Sequence, residues 1–172
     1  MATTWYYSGT ETSTPPSDNY SGTNSNPNSY VNGYIFTTLS GKTIEIVSAY
    51  IENIGSATLV GITLNTTAGA ILVNAGTQSI VTGWNDITLG SSYTISGSVL
   101  LWFQANQTIT DSTSNLYNGQ WSGPTDWPGF LTTGTGPNQD TNKCYACRLG
   151  TTGGASGPNA VQQEVWWNRT AY

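Results

Sequence analysis

Val99-Leu100-Leu101-Trp102-Phe103 is the most hydrophobic segment of the chain, and it restricts the fold more than any other. It is apolar on both faces, as a strand covered on each side must be, so it belongs at the centre of a sandwich or barrel. The stretch leading into it begins at Gly83. Asn85 to Leu89 alternates, with Ile87 and Leu89 on one face and Asp86 and Thr88 on the other. A period of two is the signature of a half-buried strand. Gly90-Ser91-Ser92 interrupts that alternation, since Gly and Ser favour turns over ladders. From Gly83 to Gln104 the chain therefore reads as strand, polar connection, strand.

The flanking sequence fits the same class. Tyr34 to Thr38 reads as a first strand, and Gly41-Lys42 as a turn. Thr43 to Ile54 reads as a long strand. Ile44, Ile46, Ser48 and Tyr50 would share one face, and Val47, Ala49 and Ile51 the other. After a turn at Asn53 to Ser56, Thr58 to Asn65 returns with Val60, Ile62 and Leu64 inward, and the two are expected to form a hairpin. Gly69 to Val73 and Gln78 to Thr82 read as shorter strands about Asn74-Ala75-Gly76. Lys143 to Leu149 and Val161 to Trp167 read as the last strands. Strands this closely spaced, with Gly or Asn between them, predict an all-β antiparallel sandwich, and no segment reads as a helix.

Two segments break the pattern. Residues 1–33 carry Thr14-Pro15-Pro16 and Asn26-Pro27-Asn28, which exclude a helix or a central strand. They are expected to form an extended N-terminal arm before a single domain at 34–172. Trp5, Tyr6, Tyr7, Tyr20 and Tyr30 are many aromatics for an idle tail. They would pack either on their own domain or on a neighbouring subunit. The second segment, from Ala105 to Gly136, reads as one long loop with Tyr117, Trp121, Trp127 and Phe130, and long loops in compact domains are often functional.

Charge narrows the partners. Only 8% of the 172 residues are charged, and the net charge is −5. Lys42, Lys143, Arg148 and Arg169 cannot form the basic track that nucleic acid requires. No apolar run approaches the roughly 18 residues of a membrane-spanning helix. The opening Met-Ala-Thr-Thr-Trp-Tyr-Tyr-Ser has neither the basic nor the apolar region of a secretory signal. The chain is thus expected to be made without a signal or to have lost one.

Catalytic chemistry finds little to work with. The chain has no His, which excludes a His-containing triad and a His metal site. Cys144 and Cys147 lack the βαβ context of a redox CxxC. Three apart on one strand they would face opposite sides, so they are expected to be reduced structural thiols. The nine acidic residues, among them Asp86, Asp126 and Glu164, read as turn caps and solvated side chains. No cofactor, metal site or enzymatic activity is expected. In Trp121-Ser122-Gly123-Pro124-Thr125-Asp126-Trp127, two indoles stand among small polar residues. They would serve as packing, as anchors of a protein interface or as a platform for sugar rings. Trp166 and Trp167 point to opposite faces of their strand, so one of them needs a cover.

The strand order, with Gly83-Trp84-Asn85 before Ile87-Thr88-Leu89 and Tyr93-Thr94-Ile95-Ser96-Gly97 before the core strand, resembles jelly-roll β-sandwich modules over residues 34–104. Such modules occur in phage decoration and fibre proteins and in carbohydrate-binding proteins. The resemblance implies binding or assembly rather than turnover. The expected function is a virion surface structural protein, a capsid cement or decoration protein or a fibre component. It would act through protein contacts as a homo-oligomer, with a trimer favoured, beside coat or fibre neighbours. The alternative is an extracellular module that binds surface polysaccharide. Interface or glycan candidates are Trp5, Tyr6, Tyr7, Tyr117, Trp121, Asp126, Trp127 and Trp166.

Overall fold

The computed structural model describes residues 2–14, 22–26, 30–114, 120–122 and 144–152. Among these residues there is no helix, and the strands form two antiparallel sheets packed face to face. The strands are β1 (Thr3–Tyr7), β2 (Gly22–Asn26), β3 (Tyr30–Phe36), β4 (Thr43–Asn53), β5 (Leu59–Asn65) and β6 (Ile71–Ser79). They continue as β7 (Gly83–Thr94), β8 (Val99–Ala105), β9 (Ile109–Ser114), β10 (Gln120–Ser122), β11 (Cys144–Tyr145) and β12 (Cys147–Thr152). One sheet has the order β1-β12-β4-β9-β11, with β7 on the other edge of β4 and β2 on β9. The second has the order β10-β3-β8-β5-β6.

The core lies between the sheets. Phe36, Val60, Ile62, Leu64, Leu101 and Phe103 from one sheet meet Val47, Ala49, Ile51, Ile87, Leu89 and Leu149 from the other. Phe103 meets Tyr145 edge-on across the gap, with ring centroids 6.3 Å apart. The two-faced hydrophobicity of β8 is satisfied on both sides, since every residue from Val99 to Ala105 is buried. Leu101 and Phe103 fill the main core. Leu100 and Trp102 form a second cluster with Ile35 and Ile71 on the opposite face.

Several boundaries differ from the sequence expectation. β4 and β5 are not a hairpin. The connection between them crosses from one sheet to the other, because both edges of β4 are taken by β7, β12 and β9, and those of β5 by β6 and β8. On β4 the register shifts between Ile44 and Ile46, which turns Ile44 into the core with Val47 and leaves Ile46 half-buried. The two short strands expected about Asn74-Ala75-Gly76 are one strand, β6, with register shifts that absorb the extra residues. Gly90-Ser91-Ser92 is likewise an excursion within β7 rather than a break. The first core strand ends at Phe36, because Thr37 and Thr38 turn their N–H and hydroxyl groups to Glu11.

The stretch expected to be one loop after Ala105 contains β9 and β10. β9 pairs with β2, so two polar strands satisfy each other's backbone without a hydrophobic period. The strand expected from Lys143 to Leu149 is split at Ala146, where pairing passes from β9 to β4 and β1. Within the segment expected to be an arm, β1 is a strand of the larger sheet. The expected final strand, 161–167, lies outside the described residues.

Candidate functional site

The outer face of the larger sheet carries the most unusual chemistry among the described residues. Pairing aligns Tyr7 of β1, Arg148 of β12, Ser48 of β4 and Asp86 of β7 in one row. Trp5, Gly150, Ile46 and Thr88 form the next row, while Tyr50 pairs with Trp84 on the other side. Directly opposed residues share a face, so these side chains gather on the outer face, where Tyr7, Tyr50 and Trp84 also touch the edge of the core. The inner face is set by the intervening row of Tyr6, Leu149, Val47 and Ile87.

Arg148 is the centre of this face. Its guanidinium carbon lies 3.7 Å from the Trp5 ring centroid and 4.0 Å from that of Trp84. Tyr7 is 5.8 Å away by the same measure. Nη2 donates to Asp86 Oδ1 at 3.0 Å, and Nη1 donates to the Tyr7 hydroxyl at 3.3 Å. Ser48, fully buried beneath the bridge, donates its hydroxyl to the same Asp86 oxygen. Trp84 also receives Tyr7 and Tyr50 edge-on, at centroid distances of 5.8 and 5.3 Å.

Magnitudes decide which contact holds the arrangement. The Asp86 side chain is 44% exposed, so its ion pair contributes about 1 kcal/mol or less. The Arg148 side chain is only 11% exposed and lies between two indoles, a setting in which a cation–π contact reaches about 2 kcal/mol. Stacking therefore contributes more than the ion pair. Part of it is offset by Arg148 Nε, which is buried and has no hydrogen-bond acceptor among the described residues.

Gly150 makes the stacking possible. A Cβ there would lie 2.7 Å from Trp5 Cζ3 and 2.9 Å from Cε3. The bare glycine lets the indole lie down across β12 and reach Arg148 two residues away. β1 itself is anchored by Ser8, which is buried and donates its hydroxyl to the Tyr145 carbonyl at 2.8 Å while accepting from the Cys147 N–H at 3.1 Å. Trp84 and Asp86 are aimed by the turn before them. Gly83 holds φ at 101°, and the buried Asn85 amide accepts from Val81 N–H and donates to the carbonyls of Val81 and Gly83.

Of the sequence candidates, the structure brings Trp5 and Tyr7 together on this face. Tyr6 points inward against the core, with Lys42 Nζ 6.0 Å above its ring. Trp121 lies on β10, paired with Val31 at the edge of the smaller sheet. Tyr117, Asp126, Trp127 and Trp166 lie outside the described residues. Nothing in the sequence alone marks Trp84, Arg148, Asp86, Tyr50 and Ser48 as members of one site. The available signal was the spacing of two in Trp5/Tyr7, Trp84/Asp86 and Arg148/Gly150, each of which places a pair on one strand face.

Two carboxylates elsewhere have structural partners. Glu11 accepts from the N–H and hydroxyl groups of Thr37 and Thr38, and from the Tyr34 hydroxyl. Glu45 accepts from the Thr152 hydroxyl and N–H, which hold its carboxyl below the ordinary value of 4.5. Among the described residues no cluster of His, Cys, Asp and Glu is suited to hold a metal ion. Cys147 is buried at the start of β12.

The fold and site define an all-β sandwich with an arginine clasped between aromatics on one sheet face. Compared with protein-family models, curated proteins and solved structures, the chain matches none.

Proposed function

We propose that this protein is a non-enzymatic surface component of a virus particle, a capsid cement or decoration protein or part of a fibre. It acts by protein–protein contact through the outer face of its larger sheet. The observation that carries this reading is the cluster of Trp5, Tyr7, Trp84 and Arg148. Trp, Tyr and Arg are the residues in which interface binding energy concentrates. Their mutual stacking holds them in place before any partner arrives, which lowers the entropy lost on docking. The charges of Arg148 and Asp86 oppose each other, so the face relies on close fit more than on long-range steering. A chain rich in Ser, Thr, Asn and Gly with few charges, and the resemblance of residues 34–104 in sequence to jelly-roll modules, support the particle setting. Many copies on one lattice make modest contacts sufficient through avidity.

One observation favours a second reading, a glycan-binding module. The Asp86 carboxylate is 44% exposed beside Trp84, where it could accept sugar hydroxyls next to an aromatic plane. The two readings separate in one experiment. Labelled protein is sedimented with a panel of purified phage capsids and fibres, and the same sample is applied to a glycan array. Particle binding that falls at least tenfold in Trp84→Ala, with the fold intact by circular dichroism, supports the first reading. Binding to the array alone overturns it in favour of the second.

A further inference from the structure

The edge of β1 that is open among the described residues has a geometry that fits a second copy of itself. In an antiparallel strand the backbone N–H and C=O of one residue point to the same side, and the side alternates along the chain. Ser8 N–H donates to the Cys147 carbonyl, toward β12. The Tyr7 groups face the other way, where Tyr7 N–H donates to the Thr12 carbonyl and Tyr7 C=O accepts from Glu11 N–H. Thr3 and Trp5 therefore also present their backbone groups away from β12, while Thr4 and Tyr6 bond to it. Beyond Trp5 the edge is closed by the turn at residues 11–12. Before it the edge is open among the described residues, and Thr3–Tyr7 contains no charged residue, proline or bulge. Exposed edges in natural proteins usually carry at least one of these guards. Such guards stand elsewhere: β6 and β7 are interrupted by register shifts.

We infer that β1 pairs antiparallel with β1 of a second copy about a two-fold axis at Thr4. Thr3 then faces the partner's Trp5, and Trp5 faces the partner's Thr3, each pair exchanging both backbone hydrogen bonds. An axis at Trp5 is excluded, because it would set Thr3 against Tyr7, whose groups the turn already uses. The chosen register opposes an aromatic to a β-branched residue, a favourable cross-strand pair. It also places no like charges together, which matters in a chain of net charge −5. The larger sheets become continuous, and the Trp84–Arg148–Trp5 faces of the two copies join into one strip. The idea rests on the proposed function only in giving that strip a use.

Mass in solution by light scattering, at about 0.1–1 mM where a small contact of micromolar to millimolar affinity is populated, is the test. The expected result is a plateau at twice the chain mass of 18.3 kDa. Thr3→Pro removes an outward donor at the first residue of the strand, where proline is tolerated, and leaves the bonds to β12. Thr4→Glu sets two carboxylates face to face at the axis. Both variants should be monomers with the circular dichroism and tryptophan fluorescence of the parent. A parent that stays monomeric, a trimer (which no two-fold contact closes), or variants that remain dimeric would overturn the inference. Particle sedimentation is read separately. A monomer that binds particles sinks the dimer and spares the function, and a dimer that binds none does the reverse.

Discussion

At the scale of single residues, the outer face depends on shape more than on charge. Arg148→Lys keeps the charge and can keep a contact with Asp86, but it loses the planar group that lies between Trp5 and Trp84. It should cost about 1–2 kcal/mol in urea unfolding, with the tryptophan emission shifted to the red. If charge mattered most, the lysine variant would unfold like the parent. Gly150→Ala tests the same contact from below. Its methyl would displace the indole, so we expect a loss of about 1–3 kcal/mol although alanine is the better strand residue. Glu11 shows the opposite case, a carboxylate used as a hub. It sits at a φ of 53°, unusual for a residue with a side chain, and accepts from donors on Thr37, Thr38 and Tyr34. Glu11→Gln replaces one acceptor oxygen with an amide donor facing donors. The change should cost about 1.5–3 kcal/mol by the same unfolding assay.

At the scale of elements, the strands that the sequence announced were those with strong hydrophobic alternation or a two-faced apolar run. β5 and β8 are such strands, and the inward set of Val60, Ile62 and Leu64 is buried as the alternation requires. In sequence β6 and β7 look broken, because Gly76 and Gly90-Ser91-Ser92 resemble turns. In the fold they are bulges, and a bulge and a turn use the same residues. β2 and β9 carried no signal, since a polar strand paired with a polar strand has no hydrophobic period. The Arg148 site was hidden for another reason. It depends on the register between β1 and β12, segments more than a hundred residues apart, and no local pattern encodes that register. The end of β12 is tied to β4 by Glu45, and this tie depends on pH. Bonds from Thr152 favour the ionised carboxylate, so the folded pKa lies below the unfolded one. Stability from this source is full above about the ordinary value of 4.5 and is lost as pH falls through the folded value. In urea midpoints measured from pH 7 downward, the gap between the parent and Glu45→Gln should be constant to about pH 5 and then close. A gap that persisted in strong acid would show that the ionised carboxylate is not what Thr152 recognises.

At the scale of the molecule, the question is whether the first residues are an appendage or part of the body. Their packing makes them part of the body. β1 covers one edge of β12, Ser8 satisfies two backbone groups at the β11–β12 junction, Tyr6 adds to the core, and Trp5 covers Gly150 and one side of Arg148. Removing residues 1–8 would take away the Ser8 hydroxyl that bonds the Cys147 N–H and the Tyr145 carbonyl, and would expose the Arg148 side chain. Buried groups left unsatisfied cost about 1–3 kcal/mol each, which is a large part of the stability of a domain this size. The truncated chain should therefore unfold at a much lower urea concentration than the parent, or fail to unfold cooperatively. Its remaining tryptophans should emit further to the red, because Trp84 loses Tyr7 and the far side of its arginine stack. An appendage held only by a neighbouring subunit would behave differently: the truncation would leave the unfolding midpoint of dilute protein unchanged and alter only its association. The two outcomes separate cleanly in an unfolding curve taken at two protein concentrations. We expect a lowered midpoint at both, because the anchors of β1 lie within its own chain.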